Sequence, residues 1–381
     1  MSLRVLWVTN DLPPRTGGIQ QFVANLLRRV HPETTVVVGP GGDVSVASVD
    51  ATETHRTVRA PGAVLPTPAT LRLVLDVART HHPDVIVLGA AWPLGELAGP
   101  LRRHLGVPVV ALTHGLEAGM AGAGLGHLIA RATRHLDAVT TISRFTAERL
   151  AGHLRAGAVH EVPPGVDLDR FTPEVAGDRM RQRFGLPAGS VVVGCVSRLV
   201  PRKGQDALLD AWPEVARHHP DAWLALVGEG PLERRLRARV HALGPGARVV
   251  LTGPVAWDEL PATYAALDVF AMPCRTRWAG LDVEGLGIVY LEAQATGVPV
   301  IAGRSGGAPE TVRDARAGET VDGRDRAALT AALARWVGDP DRRSAARAPA
   351  RAAVAGAYGW TVIAERFAGV LEEVVGGAGS S

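Results

Sequence analysis

Short β-branched segments alternate with longer amphipathic segments along this chain, and the alternation occurs twice. In the first half, apolar runs such as Val85-Ile86-Val87-Leu88 are separated by segments whose apolar residues recur at helical spacing. From about residue 190 the same pattern restarts. Strands that alternate with helices form parallel sheets, because each connection must cross over to reach the next strand. We therefore predict an α/β protein with two doubly wound, Rossmann-like parallel-sheet domains.

The predicted elements of the first half are strands at 4–9, 35–38, 84–88 and 107–111, with helices near 19–30 and 68–80. Those of the second half are strands at 191–197, 223–227, 248–252, 268–272 and 298–302, with helices near 205–217, 231–243, 258–266, 286–296 and 326–337. A Pro- and Gly-rich stretch from Val162 to Pro173 separates the two halves and indicates a hinge. We predict domains at 1–170 and 171–358.

The remaining segment, 359–381, is predicted as a helix over about 359–375 and a disordered tail from Gly376. This helix can pack on either domain, so the chain can cross back to the N-terminal domain or stay with the C-terminal one; the sequence leaves both arrangements open. In doubly wound sheets, ligands bind beyond the carboxyl ends of the strands. With two such domains, these ends are expected to face a central cleft, and the loops that follow strands are the candidate functional segments.

Composition excludes several classes of protein. The chain has 381 residues, of which 46% are apolar and 21% charged, and it contains no run of 18 apolar residues that would span a membrane. Met1 leads directly into a strand without the features of a signal peptide, so an intracellular location is expected. Cys195 and Cys274 are too few for a disulfide framework or a four-cysteine zinc site and are predicted as small apolar fillers.

Lys203 is the one lysine among 41 basic residues. A chain that uses arginine everywhere else indicates, by keeping one lysine, a position that needs a compact ammonium group instead of a planar guanidinium. The alternative is a lysine left by chance.

A basic loop follows the first strand of the second half. It contains Arg198, Lys203 and Gly204 and ends where a helix begins at Gln205. Two cations at one strand-to-helix turn can hold a diphosphate leaving group, whose negative charge grows as the bond to a sugar breaks. Such a pair would take the place of a divalent metal. The alternative is an ordinary solvated basic loop.

A second loop carries Glu284, Gly287 and, about two turns into the following helix, Glu292. Glycines at the start of a helix let a ligand approach free amides there, including those of Ile288 and Val289, and a helix N-terminus favours phosphate. The two carboxylates can bind hydroxyl groups at two separate parts of a ligand, a sugar and a ribose. The alternative is a favourable first-turn acid at 284 and a solvated helical residue at 292.

Other glycine-rich turns and one histidine are weaker signals. Gly17 and Gly18 follow the first strand, and His114 follows the strand at 107–111, although a lone histidine is more often structural. The dinucleotide-binding glycine motif, a Walker lysine and a Gly-x-Ser-x-Gly elbow are absent, which argues against dehydrogenases, P-loop NTPases and α/β-hydrolases.

Taken together, these loops resemble those of retaining glycosyltransferases of family 4, which have the GT-B fold. Glu284 and Glu292 have the spacing of the E-x7-E motif of that family, and the resemblance covers nearly the whole chain. It rests further on Gly17-Gly18, Pro164-Gly165-Val166-Asp167, the Arg198–Gly204 loop, Gly228-Glu229-Gly230-Pro231 and Ser305-Gly306-Gly307. The resemblance implies that Arg198 and Lys203 contact the diphosphate, Glu284 the donor sugar and Glu292 the ribose, without a metal or other cofactor.

Within the family, two segments look most like those of actinobacterial phosphatidylinositol-mannoside mannosyltransferases. One is the loop from Arg275 to Gln294, and the other contains Asn10, Asp11, Gly17 and Gly18. This resemblance implies transfer of mannose from GDP-mannose, in α-1,6 linkage, to phosphatidylinositol monomannoside at the inner membrane face. Asn10, Asp11, Gly17 and Gly18 would form an acceptor or phosphate loop, and His114 would join Arg198, Lys203 and Glu284 as a candidate catalytic residue. Trp278 departs from the pattern, where a small residue is expected.

A lipid acceptor implies peripheral contact with an anionic membrane, and no nucleic-acid partner is expected. Residues 124–136 form a candidate contact helix, with Leu125, Leu128, Ile129 and Ala132 on one side and basic residues on the other. The alternative is a core-facing helix with a solvated basic side.

Three other functions stay open: the same chemistry with a UDP-sugar or a soluble acceptor, a nucleotide-sugar epimerase, and a catalytically silent nucleotide-binding module. Oligomeric state is not predicted.

Overall fold

The computed structural model describes residues 2–15, 17–42 and 44–378. The chain divides into two compact units, one formed by Met1–Gly165 with Trp360–Ser381 and the other by Val166–Gly359. Each unit contains one parallel sheet, as the alternation of strands and helices predicts.

The first unit has a seven-stranded parallel sheet in the order β3-β2-β1-β4-β5-β6-β7. Its strands are β1 (Val5–Val8), β2 (Thr35–Gly39), β3 (Arg56–Arg59), β4 (Val85–Leu88), β5 (Val109–Leu112), β6 (Ala138–Thr141) and β7 (Ala158–Glu161). Its helices are α1 (Gly18–Arg29), α2 (Val44–Asp50), α3 (Pro68–His81), α4 (Ala98–Leu105), α5 (Leu116–Gly122), α6 (Gly126–Thr133) and α7 (Arg144–Leu150). The strand order reverses between β1 and β4, which creates a switch point at their carboxyl ends.

The second unit has a six-stranded parallel sheet in the order β10-β9-β8-β11-β12-β13. Its strands are β8 (Val191–Val196), β9 (Ala222–Val227), β10 (Val249–Gly253), β11 (Val269–Met272), β12 (Val300–Gly303) and β13 (Gly318–Val321). Its helices are α8 (Asp178–Arg183), α9 (Gln205–His218), α10 (Glu233–Leu243), α11 (Leu260–Ala265), α12 (Ile288–Ala295), α13 (Arg326–Gly338) and α14 (Pro340–Tyr358). Here the order reverses between β8 and β11, so the loops after these two strands are neighbours.

The last helix, α15 (Trp360–Ala378), completes the first unit. Phe367 packs against Trp7 of β1 with ring centroids 5.7 Å apart, and Trp360 stacks on Phe22 of α1 at 6.1 Å. Both Phe367 and Leu371 are fully buried, so α15 covers one face of the sheet. The helix continues through Gly376, where a disordered tail is predicted, and residues 379–381 lie outside the described part.

The observed division of the chain differs by a few residues from the predicted one. The segment after residue 165 belongs to the second unit because the Val166 amide donates a 2.7 Å hydrogen bond to the Tyr358 carbonyl. The Arg351 guanidinium also donates to the carbonyls of Leu168 and Phe171. These bonds move the boundary from 170 to 165 and attach the hinge segment to the second sheet.

Four strands were not predicted from the sequence: β3, β6, β7 and β13. Edge strands β3, β7 and β13 carry polar side chains that interrupt any apolar run, such as the exposed Arg56 and the partly buried His160 and Glu319. The helix α14 was also missed, because Pro349 lies inside it and its many alanines give little amphipathic contrast.

Candidate functional site

The loops after β8 and β11 meet at the switch point of the second sheet. The first loop ends in a 3₁₀ turn, Pro201–Lys203, that leads into α9. The second loop runs from Pro273 to Gly287 and leads into α12. A backbone hydrogen bond of 2.8 Å, from the Arg275 amide to the Arg202 carbonyl, joins the two loops directly.

Lys203 and Glu284 form a buried ion pair between these loops. The Lys203 Nζ lies 2.7 Å from the Glu284 Oε2, and the residues are 8% and 6% exposed. Burial alone would raise the pKa of Glu284, but the charges of Lys203 and Arg202 outweigh it and hold the pKa below its ordinary value. Glu284 is therefore an anion in the folded protein, and the solitary lysine of the chain is its partner.

Arg202 is a further member of this cluster that sequence reasoning missed. Its Nε lies 3.6 Å from the Glu284 Oε2, and its guanidinium is 3.8 Å from Asp282. The signal was present in the sequence, because Arg202 directly precedes Lys203 in the same turn. Two cations thus flank one buried carboxylate.

Arg198, predicted to share the diphosphate with Lys203, has a different environment. It is exposed, and no ion pair to its guanidinium is found within the described residues. Its backbone carbonyl accepts a 3.1 Å hydrogen bond from the Gln205 side chain at the start of α9. The structure therefore anchors the backbone of Arg198 beside the Lys203 turn and leaves its side chain available to an external anion.

The N-terminus of α12 supplies backbone donors next to Glu284. Gly287 precedes the helix with φ +92°, a left-handed conformation that favours glycine. Ile288 and Val289 form the first turn, whose amides have no partner within a helix. Gly306 has φ +57°, and a Cβ there would lie 1.9 Å from the Glu284 carbonyl oxygen. Glycine at 306 therefore lets the loop after β12 approach the Glu284 backbone.

Glu292 is buried, not solvated, which excludes the alternative interpretation of this residue. It is 3% exposed, and its Oε2 accepts a 2.6 Å hydrogen bond from the fully buried Tyr264 hydroxyl. Burial raises the pKa of Glu292 to about 7, although Tyr264 and the charge of Arg170 act in the opposite direction. Tyr264 was not predicted, because it is distant in sequence and no motif marks it.

In the first unit, the predicted residues gather at the carboxyl ends of β1, β4 and β5. Asn10 exchanges hydrogen bonds of 2.6 and 2.7 Å with the backbone of Val64, and Asp11 accepts one of 2.6 Å from Gln20. Gly17 and Gly18 lie at the start of α1. These contacts organise the loop after β1.

His114 follows β5, and its Nε2 lies 2.5 Å from the Gly89 carbonyl oxygen. A carbonyl only accepts hydrogen bonds, so Nε2 carries a hydrogen, and in the neutral form of the ring the lone pair lies on Nδ1. The amide of His114 donates to the buried carboxylate of Glu117, 3.1 Å away. The imidazole thus has a fixed tautomer and orientation.

The predicted apolar side of the contact helix faces the core of the first unit. Ile129 and Ala132 of α6 are buried, and Arg131 pairs with Glu96 at 2.6 Å. The alternative of a core-facing helix is therefore correct for these residues. Leu125, just before the helix, is 40% exposed.

Both cysteines are apolar fillers, as predicted. Cys195 and Cys274 are fully buried and unpaired by disulfide. Burial raises their pKa values to about 11 and about 12, so neither is a thiolate at neutral pH.

In the described part of the chain, no cluster of three His, Cys, Asp or Glu side chains has an arrangement suited to a metal ion. No described helix has both the length and the apolar character required to cross a membrane.

Two family models match the two halves of the chain. Residues 177–353 match the model described as glycosyl transferases group 1, and residues 16–170 match glycosyltransferase family 4.

Full-length relatives and solved structures agree with these matches. A GDP-mannose-dependent alpha-(1-6)-phosphatidylinositol monomannoside mannosyltransferase of Mycolicibacterium smegmatis is 45% identical, over 96% of this chain and 98% of its own. A GDP-mannose-dependent monoacylated alpha-(1-6)-phosphatidylinositol monomannoside mannosyltransferase of Corynebacterium glutamicum is 41% identical, over 97% and 98%. Anabaena HepE in complex with UDP has the same fold, with a TM-score of 0.79 at 20% identity over 97% of this chain and 100% of that one.

The protonation of Glu292 predicts a specific pH dependence of stability. Its folded pKa of about 7 lies above the ordinary value of 4.5, so its stabilising contribution is complete below pH 4.5 and is lost as the pH rises through 7. Replacing Glu292 by Gln keeps an acceptor for Tyr264 and removes the titration. Between pH 5 and 7.5, the wild type should lose up to about 3 kcal/mol of unfolding free energy relative to Glu292→Gln.

Urea unfolding at a series of pH values measures this difference. Glu214→Gln is a matched control, because Glu214 is exposed on α9 of the same unit, and it should keep the wild-type pH profile. Parallel profiles for the wild type and Glu292→Gln would contradict the raised pKa.

Proposed function

Because the chain belongs to the glycosyltransferases of family 4, which have the GT-B fold, we propose that it transfers mannose from GDP-mannose to phosphatidylinositol monomannoside. The product would carry an α-1,6 linkage, with retention of the anomeric configuration. The observation that carries this proposal is the buried pair of Lys203 and Glu284 at the switch point of the second sheet, 2.7 Å apart. The names and 41–45% identities of the full-length mannosyltransferase relatives support the same donor and acceptor.

The donor diphosphate is assigned to Arg198, Lys203 and the first-turn amides of α12. An ammonium group has three N–H donors, so Lys203 can keep Glu284 as one partner and offer the others to phosphate. Arg198 is exposed beside the same turn and can add a bidentate contact. The helix N-terminus at Ile288 and Val289 favours the same negative charge. These groups stabilise the diphosphate as it leaves, which is the electrostatic work that catalysis requires.

The two glutamates take different parts of the donor in this proposal. Glu284 stays ionised because of Lys203 and Arg202, and it accepts hydrogen bonds from the hydroxyls of the mannose. Glu292, eight residues further along the chain, accepts from the ribose hydroxyls. Burial raises its pKa to about 7, so the protonated form, which can donate as well as accept, is populated near neutral pH.

During transfer, the bond between the anomeric carbon and the diphosphate oxygen breaks as the acceptor hydroxyl oxygen bonds to that carbon. The hydroxyl proton passes to the departing diphosphate on the same face of the sugar, which accounts for retention without a protein nucleophile. His114 is assigned to the acceptor, because its fixed Nε2–H leaves Nδ1 to accept a hydrogen bond from a hydroxyl. Asn10, Asp11, Gly17 and Gly18 form the loop that we assign to the acceptor or its phosphate.

Activity of Lys203 and Arg198 variants tests the diphosphate site. Lys203→Ala and Arg198→Ala should each lower kcat by about 10²–10³, because each removes a donor that stabilises leaving-group charge. Lys203→Arg should restore little of the lost kcat, since a planar guanidinium does not replace a compact ammonium group within a buried ion pair. Turnover of GDP-mannose is measured in EDTA, in which the wild type should stay fully active if no metal is required.

Arg313→Ala is the control, because Arg313 is an exposed arginine of the same unit outside these loops and its loss should leave turnover unchanged. Circular dichroism and thermal unfolding establish that each variant is folded. Normal turnover by a folded Lys203→Ala protein would contradict the assignment.

Donor and acceptor identity are tested by binding and by transfer. GDP and GDP-mannose should raise the thermal midpoint more than UDP or ADP compounds, because a ligand that binds only the native state stabilises it. Mannose should then be transferred to phosphatidylinositol monomannoside and not to soluble polyols. A preference for UDP-sugars with a soluble acceptor would support that alternative, and conversion of the donor sugar without any acceptor would support an epimerase.

Peripheral membrane contact is assigned to the first unit and to no spanning segment. Its exposed large apolar side chains include Leu65, Leu116 and Leu125, which are 50%, 61% and 40% exposed. His127 on α6, with Arg134 and His135 directly after it, adds an exposed basic surface. Apolar side chains that insert beside basic groups are typical of proteins that bind anionic bilayers at the interface. A location at the inner face of the cell membrane follows from this proposal.

Cosedimentation with vesicles tests the contact. The wild type should bind vesicles that contain anionic phosphatidylinositol more tightly than neutral ones, and Leu116→Ser with Leu125→Ser should weaken that binding several-fold. Val159→Ser is the control, because Val159 is 46% exposed on the edge strand β7 and should have no effect. Equal binding to neutral and anionic vesicles would contradict the basic surface.

A further inference from the structure

His114 is held by three contacts within the first unit. Its Nε2–H donates to the Gly89 carbonyl, and its backbone amide donates to Glu117. The third contact is aromatic. The ring of Phe22, on α1, has its centroid 6.0 Å from that of the imidazole, and the two planes meet at 84°. Unlike the other two contacts, it is not a hydrogen bond, so it acts on the imidazole through packing.

The hydrogen bond and the aromatic contact restrict different motions of the imidazole. The bond from Nε2 selects one of two flipped orientations, because a flip exchanges Nε2 with Cε1 and breaks the bond. It restricts the tilt of the ring less, since hydrogen bonds tolerate angular deviations. A neighbouring ring limits that tilt, because side chains in a close-packed core leave little free volume. Phe22 therefore supplies a restraint that the bond to Gly89 lacks.

Phe22 is held in turn by the first residue of α15. Trp360 stacks on it, with ring centroids 6.1 Å apart and planes inclined by 27°. The Arg29 guanidinium lies over the indole, 5.4 Å from its centroid. Both aromatic residues are buried, with exposures of 3% for Phe22 and 7% for Trp360. The rings of His114, Phe22 and Trp360 thus form a continuous series, which we call the aromatic column.

The aromatic column ends where the chain passes between the two units. Gly165 is the last residue of the first unit before the chain leaves it, and Trp360 is the first after the chain returns. These two residues are in contact, because a Cβ at Gly165 would lie 2.6 Å from the indole ring. A larger residue at 165 would therefore displace Trp360. This close approach gives a physical reason for glycine in one of the segments that carry the family resemblance.

We propose that Phe22 and Trp360 are positioning residues for His114, and that Gly165 leaves the space that Trp360 requires. The aromatic column makes the orientation of the imidazole depend on the placement of α15, so that Nδ1 points in one direction when an acceptor hydroxyl binds. A misplacement of about 1 Å can cost about 10²-fold in rate. The use of His114 toward the acceptor rests on the proposed function, whereas the effect of the column on the imidazole does not.

NMR of protein labelled with ¹⁵N in its histidine rings tests the aromatic column without any substrate. The chain has 13 histidines, and the signals of His114 are identified by their loss in His114→Asn. At about pH 8.5, where an imidazole of ordinary pKa is neutral, the wild type should show the Nε2–H tautomer for His114. Phe22→Leu and Trp360→Leu should shift these signals toward a mixture of tautomers, because a ring that tilts weakens the bond to Gly89.

Three further variants separate the column from general core packing. Phe367→Leu is the matched control, because Phe367 is a fully buried ring of α15 in the same core but packs on Trp7. It should keep the wild-type His114 signals. Trp360→Phe keeps a ring in the stack and should keep them too. Gly165→Ala leaves all three rings in the chain but displaces the indole, so it should act as Trp360→Leu does. Thermal unfolding establishes that each variant is folded.

Steady-state kinetics adds a measurement of the reaction itself. Phe22→Leu, Trp360→Leu and Gly165→Ala should lower the kcat for mannose transfer by about 10-fold or more. The KM for GDP-mannose should stay within about twofold of the wild type, because the assigned donor groups lie on the second unit. Phe367→Leu and Trp360→Phe should keep kcat within about threefold, a difference that a merely structural role of the column would not produce.

Two results would overturn the proposal. Unchanged His114 signals in folded Phe22→Leu and Trp360→Leu proteins would show that the column does not orient the imidazole. Equal changes in Phe367→Leu would reduce the effect to a general loosening of the core. A different pair of results would count against the proposed function and leave the column in place. Altered signals with normal mannose transfer would contradict the assignment of His114 to the acceptor, and altered signals without transfer by the wild type would contradict the reaction.

Discussion

The buried ion pair between Lys203 and Glu284 is the interaction on which the candidate site depends. It joins two loops that are 81 positions apart in the chain and meet only because the strand order of the second sheet reverses between β8 and β11. A buried charge without a partner is strongly destabilising, so each residue requires the other even before any ligand binds. The same pair sets the charge of the candidate site, because the lysine keeps the glutamate ionised and the glutamate orients the lysine.

The second glutamate shows how the same side chain acquires the opposite property. Glu292 accepts a hydrogen bond from the Tyr264 hydroxyl and has no ion pair within the described residues, so burial dominates and raises its pKa. Glu284 has equal burial and two neighbouring cations, so charge decides. Two carboxylates that are eight residues apart therefore have pKa values shifted in opposite directions, and the sequence motif that contains both does not reveal this difference.

Much of the fold could be predicted from the sequence because buried parallel strands are continuous apolar runs. The runs at 85–88 and 191–196 mark their strands directly, whereas the edge strands β3, β7 and β13 do not, since their solvent-facing residues break the apolar pattern. In the site, Lys203, Glu284 and Glu292 were recognisable by rarity and spacing. Arg202 and Tyr264 were not, because their roles arise from contacts between distant segments and arginine is too common in this chain to stand out.

The return of α15 to the first unit has a consequence for how the protein is made. Residues 166–359 form a unit that is continuous in sequence, so it can fold as soon as it leaves the ribosome. The first unit emerges earlier but lacks Phe367 and Leu371, which help to cover one face of its sheet, until α15 has been synthesised after the whole second unit. Until then α1 packs on this face through Phe22 and Leu26, but the area that α15 covers stays exposed. The unit that is translated first is thus completed last. A chain that stops short of residue 360 exposes apolar surface that chaperones or other nascent chains can bind.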